Sequence, residues 1–258
     1  MKNEYEKISE KAINYMRNNL SKDITTEELA SYVGYSKYHF IRVFKETTGV
    51  SPRHYLSALR IEMSKEQLSH STSSILKVIL SLGFRSMGSF SSRFKQFVGL
   101  SPKEYRLKID ELYKYLIHFQ ISEPSNLETN IGSTPTITCS IKTPPNFKGI
   151  IFIGLFPRPI PDQRPVVGTA FFHQKKECIF SNVPYGEYYL LSAGISYSLN
   201  PRKYFLSDSF LRGKLESALK ISESTNIVTS IQLREPLPCD PPILINLPLL
   251  LFEKNKAN

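Results

Sequence analysis

The feature that most constrains the fold is a motif that the chain repeats about fifty residues apart. Residues 34–52 read GYSKYHFIRVFKETTGVSP, and residues 83–102 read GFRSMGSFSSRFKQFVGLSP. The identical pairs that a shift of fifty aligns include Phe40/Phe90, Phe44/Phe94, Lys45/Lys95, Gly49/Gly99, Ser51/Ser101, Pro52/Pro102 and Tyr55/Tyr105. Phenylalanines four residues apart share one helical face, a glycine readily ends a helix, and Ser-Pro suits the start of the next. The repeat therefore predicts two copies of one helical unit.

The residues around the start of the first copy predict what this unit is. In DITTEELASYVGYSKYHF, Thr25 or Thr26 suits an N-cap, and Glu28 suits the first helical turn. Ala30 is small enough for two helices to cross closely, and Gly34 tolerates the left-handed backbone of a tight turn. These residues predict a helix-turn-helix whose second helix begins near Ser36.

The rest of the chain predicts a second domain of another class. Apolar residues recur every three or four positions up to about residue 120, which is the spacing of helices, and a Ser-, Thr- and Pro-rich segment follows. Short apolar runs cut by Pro, Gly and Asn then predict strands: GIIFIGLF, PVVGTAFF, CIFSNV, GEYYLLSAGI, NIVTSIQL and ILINL. The predicted fold class is α+β multidomain, with an all-α double helix-turn-helix domain followed by a mainly antiparallel β-sandwich domain. The predicted boundaries are 1–112 for the first domain, with units at about 24–47 and 74–98, then 113–147 for a helix extension and linker, and 148–253 for the sandwich.

The charge distribution favours a polyanionic partner for the helical half. Residues 1–120 hold 19 of the 33 Lys and Arg and 12 of the 23 Asp and Glu, a net of +7, whereas the remainder carries a net of +3. A basic excess of this kind is typical of nucleic-acid binding, and a solvated basic surface explains it equally well.

Here the residues carry a resemblance. The doubled pattern of Gly-Tyr or Gly-Phe, two phenylalanines, Lys, Gly and Ser-Pro resembles the AraC/XylS family of transcriptional regulators over about residues 3–112. The resemblance implies two helix-turn-helix units joined by a long helix, with both second helices inserted into adjacent major grooves of double-stranded DNA. The family usually places this module last, and here it comes first. The implied function is a sequence-specific DNA-binding regulator, with RNA polymerase as a further candidate partner.

The outward faces of the two second helices supply the candidate contacts. Arginine can donate two hydrogen bonds to guanine, so Arg42 is interpreted as a base-reading side chain, with a phosphate contact as the alternative. The base-contact candidates are Lys37, Tyr38, Ile41, Arg42, Ser86, Met87, Ser89 and Ser92. The phosphate-contact candidates are Ser36, His39, Lys45, Arg85, Arg93 and Lys95.

The second unit departs from the family pattern. Ser92 stands where the family usually has Arg, Ile79 stands where it usually has a small residue, and Arg93 lies about 100° round the helix from Ser92. Short hydroxyls do not deliver a bidentate base contact, so we expect the first unit to carry most of the sequence preference.

No arrangement in the β-half indicates catalysis, a cofactor or a metal. Glycine-rich phosphate loops and nucleophile motifs are absent from the sequence, its acidic residues are scattered, and Cys139, Cys178 and Cys239 are isolated. The expectation is a non-enzyme in a reducing cytoplasm, with no signal segment and no membrane partner.

Three roles are open for the β-domain, which weakly resembles a prealbumin-like or carboxypeptidase-regulatory sandwich. One is effector sensing, for which the pocket residues are unknown; its aromatic candidates, which suit a strand core at least as well, are Phe171, Phe172, His173, Tyr185, Tyr188, Tyr189 and Tyr197. Another is an adaptor role through protein interaction or homodimerisation, supported by a seam of Tyr105, Ile109, Leu112, Leu116 and Phe119 that packs equally well against its own chain. The third is passive stabilisation.

Overall fold

The structure is a computed structural model that describes residues 2–70, 74–121 and 135–256. The helices of the N-terminal half are α1 (Lys2–Asn18), α2 (Thr26–Val33), α3 (Lys37–Thr48), α4 (Pro52–His70), α5 (Ile75–Ser81), α6 (Met87–Val98) and α7 (Pro102–Ile121). The strands are β1 (Thr136–Lys142), β2 (Gly149–Phe156), β3 (Val167–Phe172), β4 (Glu177–Ser181), β5 (Gly186–Ser196), β6 (Leu211–Lys214), β7 (Leu219–Ile221) and β8 (Asn226–Gln232). Short 3₁₀ helices lie at Pro201–Tyr204 and Ser207–Ser209, and α8 (Leu247–Lys256) follows the strands.

Local hydrogen bonds form the turn between α2 and α3. The Oγ1 of Thr25 accepts the backbone N–H of Glu28 at 3.1 Å and so caps α2. Gly34 ends α2 with φ 84°, and its N–H reaches back to the carbonyls of Ala30 and Ser31. Ser36 is extended and immediately precedes α3, so only Tyr35 and Ser36 separate Gly34 from the next helix.

The two units reproduce one aromatic arrangement. The ring centroids of Phe40 and Phe44 are 5.5 Å apart, and those of Phe90 and Phe94 are also 5.5 Å apart. Tyr55 and Tyr105 close the two clusters at 5.4 Å and 5.5 Å from the nearer phenylalanine. All these rings are buried, which explains why the repeat keeps them while most of its exposed residues differ.

The C-terminal domain is a two-sheet sandwich. One sheet has the order β4-β1-β8, and the other has the order β3-β2-β5-β6, with β7 also paired to β5. The ladders are antiparallel except for β1 and β8, which pair in parallel. The predicted class, a helical helix-turn-helix region followed by sheets of mainly antiparallel strands, is confirmed.

Strand β2 is buried along its whole length because it has an apolar partner on each face. Ile151 and Ile153 pack into the core between the sheets. Ile150 and Phe152 point the other way and belong to the cluster that includes the buried residues of the helices. The β-domain is therefore packed directly onto the helical half through the outer face of one sheet.

Two stretches differ from the sequence-based expectation. Strand β1 lies inside the segment 113–147, which is predicted as a helix extension and linker. Helix α7 continues to Ile121, residues 143–147 lie between β1 and β2, and residues 122–134 lie outside the described residues. The run ILINL, predicted as a strand, forms no sheet pairing: residues 243–246 are buried without strand structure and lead into α8. Prolines on both sides of this run lack the N–H that a ladder needs, so its burial comes from side-chain packing.

The apolar seam of α7 is covered by its own chain. Tyr105, Ile109, Leu112 and Leu116 are buried, and they belong to the cluster that also holds the C-terminal segment. The edge of Phe252 from α8 meets the ring of Tyr115 at a centroid distance of 5.0 Å. These four seam residues are thus already occupied, and the side chain of Phe119 lies outside the described part of the chain.

Candidate nucleic-acid interface

Helix α3 separates a buried face from a polar, exposed one. Phe40, Val43 and Phe44 are buried, so their opposite face is directed to solvent. Exposed residues on that face are Lys37, Tyr38, Arg42 and Lys45, while Ile41 is half-buried. Tyr38 retains 84% of its surface, so its ring is accessible to a partner molecule.

The charged residues of α3 are held in different ways. Lys37 pairs with Glu27 of α2, and this hydrogen bond raises the pKa of Lys37 and lowers that of Glu27. Arg42 Nη2 lies 3.4 Å from His39 Nδ1, one turn earlier on the helix. A surface pair of the Lys37–Glu27 kind is weak, so a phosphate can displace Glu27 from Lys37.

His39 is directed toward the N-terminal helix. Its ring stacks on Tyr35 at a centroid distance of 4.9 Å and meets the edge of Tyr5 from α1 at 6.4 Å. His39 is half-buried as a result. This packing ties the start of α3 to α1 and leaves the Arg42 side of the helix as its outer edge.

Helix α6 has a similar inner face and a smaller outer one. Phe90, Phe94 and Phe97 are buried, whereas Met87, Gly88, Ser89 and Ser92 are exposed. The hydroxyl of Ser86 accepts the N–H of Ser89 at 3.2 Å, so its first task is to cap α6. The first turn of α6 therefore presents mostly short side chains and no charge on its outer face.

The cations near α6 join the two units. Arg85 pairs with Asp23, which lies just before the first unit. Arg93 Nη1 donates to Ser57 Oγ of α4 at 3.1 Å, and Lys95 is exposed. Arg60, which is not among the contact candidates predicted from the sequence, donates to the carbonyls of Leu20 and Lys22. The Arg93 and Arg60 contacts brace α4, the helix between the two units, against the segments on either side, and the Arg85–Asp23 pair joins the second unit to the segment before the first.

The described residues were also compared with the requirements of a metal site, a reactive cysteine and a membrane-spanning helix. Residues 2–70, 74–121 and 135–256 contain no group of three or more His, Cys, Asp or Glu side chains placed to hold a metal ion. Burial raises the pKa of the Cys139 and Cys239 thiols to about 11 and that of Cys178 to about 12, which keeps these thiols protonated at neutral pH. Within the same ranges, no helix has the length and apolarity needed to cross a bilayer.

The aromatic residues considered for an effector pocket do not share one site. Phe171 and Tyr188 lie in the core between the sheets. His173 meets the rings of Phe147 and Tyr197 edge-on, at centroid distances of 6.4 Å and 5.9 Å. A cavity on the outer face of the β3-β2-β5 sheet is lined by other residues.

Comparison with known proteins identifies the helical half. Residues 29–108 match the family model described as a helix-turn-helix domain. An uncharacterised HTH-type transcriptional regulator of Staphylococcus aureus is 37% identical over 92 residues, which are 36% of this chain and 12% of that protein. The raffinose operon transcriptional regulatory protein RafR of Pediococcus pentosaceus is 33% identical over 98 residues, which are 38% of this chain and 35% of RafR. The chain thus spans well under half the length of these curated relatives.

Solved structures of the same class also align with the chain. A transcriptional regulator from Chromobacterium violaceum with an AraC-type DNA-binding domain is 31% identical, with a TM-score of 0.37, over 38% of this chain and 88% of that one. The DNA-binding domain of the global transcriptional factor AdpA, solved with a target DNA, is 27% identical, with a TM-score of 0.38, over 39% of this chain and 90% of that one.

The family match, together with the paired turns and helices, makes residues 29–108 a helix-turn-helix domain. It is the AraC type, as the duplicated motif implied, with two units joined by α4.

Proposed function

We propose that this protein is a sequence-specific DNA-binding transcriptional regulator that inserts α3 and α6 into adjacent major grooves. The observation that carries the proposal is the pair of helix-turn-helix units with matching buried cores and solvent-exposed outward faces. Recognition helices read base edges mainly with their first turns. Tyr38 and Met87 lie in those turns and remain 84% and 49% exposed.

The two units contribute unequally in this proposal. Arg42 supplies a bidentate donor for guanine, and Tyr38 supplies an apolar ring edge for a thymine methyl. Lys37 and Ile41 flank them, and Lys45 anchors a phosphate. Base contacts in the second unit are limited to Ser86, Met87, Ser89 and Ser92, which discriminate weakly.

Phosphate contacts position the protein on the duplex. The backbone-contacting set comprises Ser36, His39, Lys45, Arg85, Arg93 and Lys95. Arg85 and Arg93 hold protein partners in the free state, so DNA must compete with Asp23 and with Ser57. Both of these contacts are exposed, so replacing them with phosphate contacts costs little free energy.

Selection from a random duplex library by the full chain, followed by sequencing, tests this proposal. We expect a motif with one strong element and a weaker element centred about 10–10.5 base pairs away. Arg42→Ala should remove the strong element, while Lys220→Ala, at an exposed lysine of the β-domain, should leave it intact. Recovery of no motif, or the same motif from the Arg42→Ala protein, would contradict the assignment.

A further inference from the structure

An apolar cavity lies between the outer face of the β3-β2-β5 sheet and the C-terminal segment. Its volume is about 230 Å³. Phe152, Ala170 and Ala193 line it from the sheet, and Ile245 and Leu251 line it from the other side. An engineered apolar cavity of about 150 Å³ stays dry and binds benzene. This cavity therefore has room for an organic molecule larger than a single ring.

The polar groups at the cavity indicate the class of that molecule. Ser192 Oγ already donates to the carbonyl of Phe152 at 2.9 Å, so it needs no further partner. Among the described residues that line the cavity, Arg164 alone is charged, and it pairs with Glu253 of α8. Arg164 and Glu253 are 61% and 39% exposed, so their pair is weak enough for a ligand carboxylate to replace Glu253. Apolar walls with one accessible guanidinium suit a small apolar monocarboxylate.

One wall of the cavity also contacts the first helix-turn-helix unit. This wall is the β2–β3 loop, which lines the cavity with Pro161. Pro159 of the same loop lies against Gly49, the residue that ends α3: a Cβ on Gly49 would be 2.5 Å from Pro159 Cγ. Three residues further along, the buried Asp162 accepts a hydrogen bond from His54 Nε2 of α4 at 2.7 Å.

A second part of the lining, the C-terminal segment, contacts the second unit and the helix between the units. Ile243 lines the cavity, and its carbonyl accepts the Nζ of Lys65 at 3.0 Å. Lys65 is on α4 and is only 2% exposed, so this contact is inside the protein. Leu249, at the start of α8, lies 3.4 Å from the position that a Cβ on Gly99 would take.

The two parts of the lining therefore lie next to equivalent positions of the repeat. Gly49 ends α3 and Gly99 ends α6, fifty residues apart, and each contacts a different part. The Pro161 carbonyl accepts the N–H groups of Leu244 and Ile245 at 3.1 Å and 3.3 Å, so the two parts are joined. A ligand that pushes this joined lining away from the sheet acts on the ends of both recognition helices. We propose that this cavity binds a small apolar monocarboxylate, and that its occupation sets the relative placement of α3 and α6. The regulatory part of this proposal rests on the DNA-binding function proposed above.

Binding is tested on the full chain with 2-naphthoate and octanoate, and with 2-naphthamide and 1-octanol as uncharged counterparts. At about 100 times the dissociation constant, each acid should raise the Tm by about 5–10 °C, and the uncharged counterparts should bind at least tenfold more weakly. Arg164→Gln should lose the preference for the acids, while Arg202→Gln, at an exposed arginine away from the cavity, should keep it. Equal binding by these two variants, or no Tm shift with either acid, would overturn the site.

A variant that fills the cavity provides a second test. Ala193→Phe places a ring in the space lined by the sheet and should abolish the Tm shift while preserving the circular dichroism spectrum. If this variant does not fold, the comparison of Arg164→Gln with Arg202→Gln still tests whether the acids bind at this cavity. An unchanged 2-naphthoate shift in a folded Ala193→Phe protein would overturn the assignment of the cavity.

Coupling to the recognition helices is measured without DNA and then with it. Spin labels at Glu46→Cys and Gln96→Cys, exposed and equivalent positions of α3 and α6, should report a changed distance distribution with 2-naphthoate in a Cys239→Ser background. Affinity for a selected duplex should change at least fivefold, and not in Arg164→Gln. Unchanged distances with bound ligand would overturn the coupling. Changed distances in a protein that binds no duplex specifically would uphold the coupling and contradict the proposed DNA-binding function instead.

Discussion

His54 Nε2 lies 2.7 Å from Asp162 Oδ2 and joins the helix between the two units to the β2–β3 loop. Asp162 has no solvent exposure, and its other oxygen faces Arg158 at 3.1 Å. Removing one partner of a buried charge destabilises a protein because the remaining charge is left poorly solvated. We expect His54→Leu to lower the free energy of unfolding by about 2–4 kcal/mol in urea titrations. The double variant His54→Leu/Asp162→Asn should recover part of this loss; a double variant less stable than the single one would contradict the assignment.

The two helix-ending glycines of the repeat form a matched pair for a packing test. Gly49 and Gly99 have φ of 80° and 86°, so alanine carries the same backbone cost at both, about 1–2 kcal/mol. At Gly49 the new Cβ also meets the rigid ring of Pro159 at 2.5 Å, whereas at Gly99 it makes an ordinary contact with Leu249. Gly49→Ala should therefore be more destabilising than Gly99→Ala by about 1–3 kcal/mol. Equal losses in thermal unfolding would show that the loop does not press on α3.

The buried amine of Lys65 should make the free energy of unfolding increase with pH. Burial lowers the pKa of Lys65 from 10.5 to about 8. Between these values the unfolded chain holds a proton that the folded chain has released, so raising the pH stabilises the fold. Relative to Lys65→Met, the wild type should gain about 2–3 kcal/mol between pH 7.5 and 10.5. Taking the difference between the wild type and Lys65→Met cancels the titration of Tyr and Cys, which both proteins share. Relative to Lys220→Met, a control at an exposed lysine, the wild type should show no such gain. A flat difference for Lys65→Met would contradict the burial of a titrating amine.

Arg42 and Lys45 should differ in what their removal does to DNA binding. Loss of a base contact should flatten the preference at one or two base pairs, so Arg42→Ala should cost about 1–3 kcal/mol on the preferred duplex and little on others. Loss of a phosphate contact should weaken binding to all duplexes alike and reduce the salt slope by about one, which is the expectation for Lys45→Ala. Anisotropy titrations at several salt concentrations separate the two effects. If Arg42→Ala bound preferred and scrambled duplexes with an unchanged ratio, Arg42 would not read bases.

The helix-turn-helix architecture could be predicted from the sequence because its determinants are local. Phe40 and Phe44 face one way by helical periodicity alone, and Gly49 ends the helix whatever surrounds it. The mainly antiparallel sandwich was predicted for a similar reason, since β2 and β5 are short apolar runs between turn residues. The alternation in TITCSIK also carried a strand signal, which its Ser-, Thr- and Pro-rich surroundings concealed.

The packing between the two halves could not be predicted in this way. Glu62 and Lys65 on α4 have the composition of a solvated helix surface, yet both are buried, Glu62 against Ser207 and Lys65 against Ile243. Burial raises the pKa of Glu62, so its environment differs from that of a surface carboxylate. Such contacts join residues more than a hundred positions apart, and neither partner carries a local sign of the other. The cavity depends on the same long-range packing, and residues other than the aromatic candidates line it.

Competition binding at physiological salt tests the central claim most directly. The full chain would be titrated against a duplex recovered by selection and against the same duplex with its sequence scrambled. A sequence-specific regulator should prefer the selected duplex by at least about 10³. A preference below about tenfold would contradict sequence-specific regulation and would favour a DNA-bound adaptor whose β-domain recruits another protein.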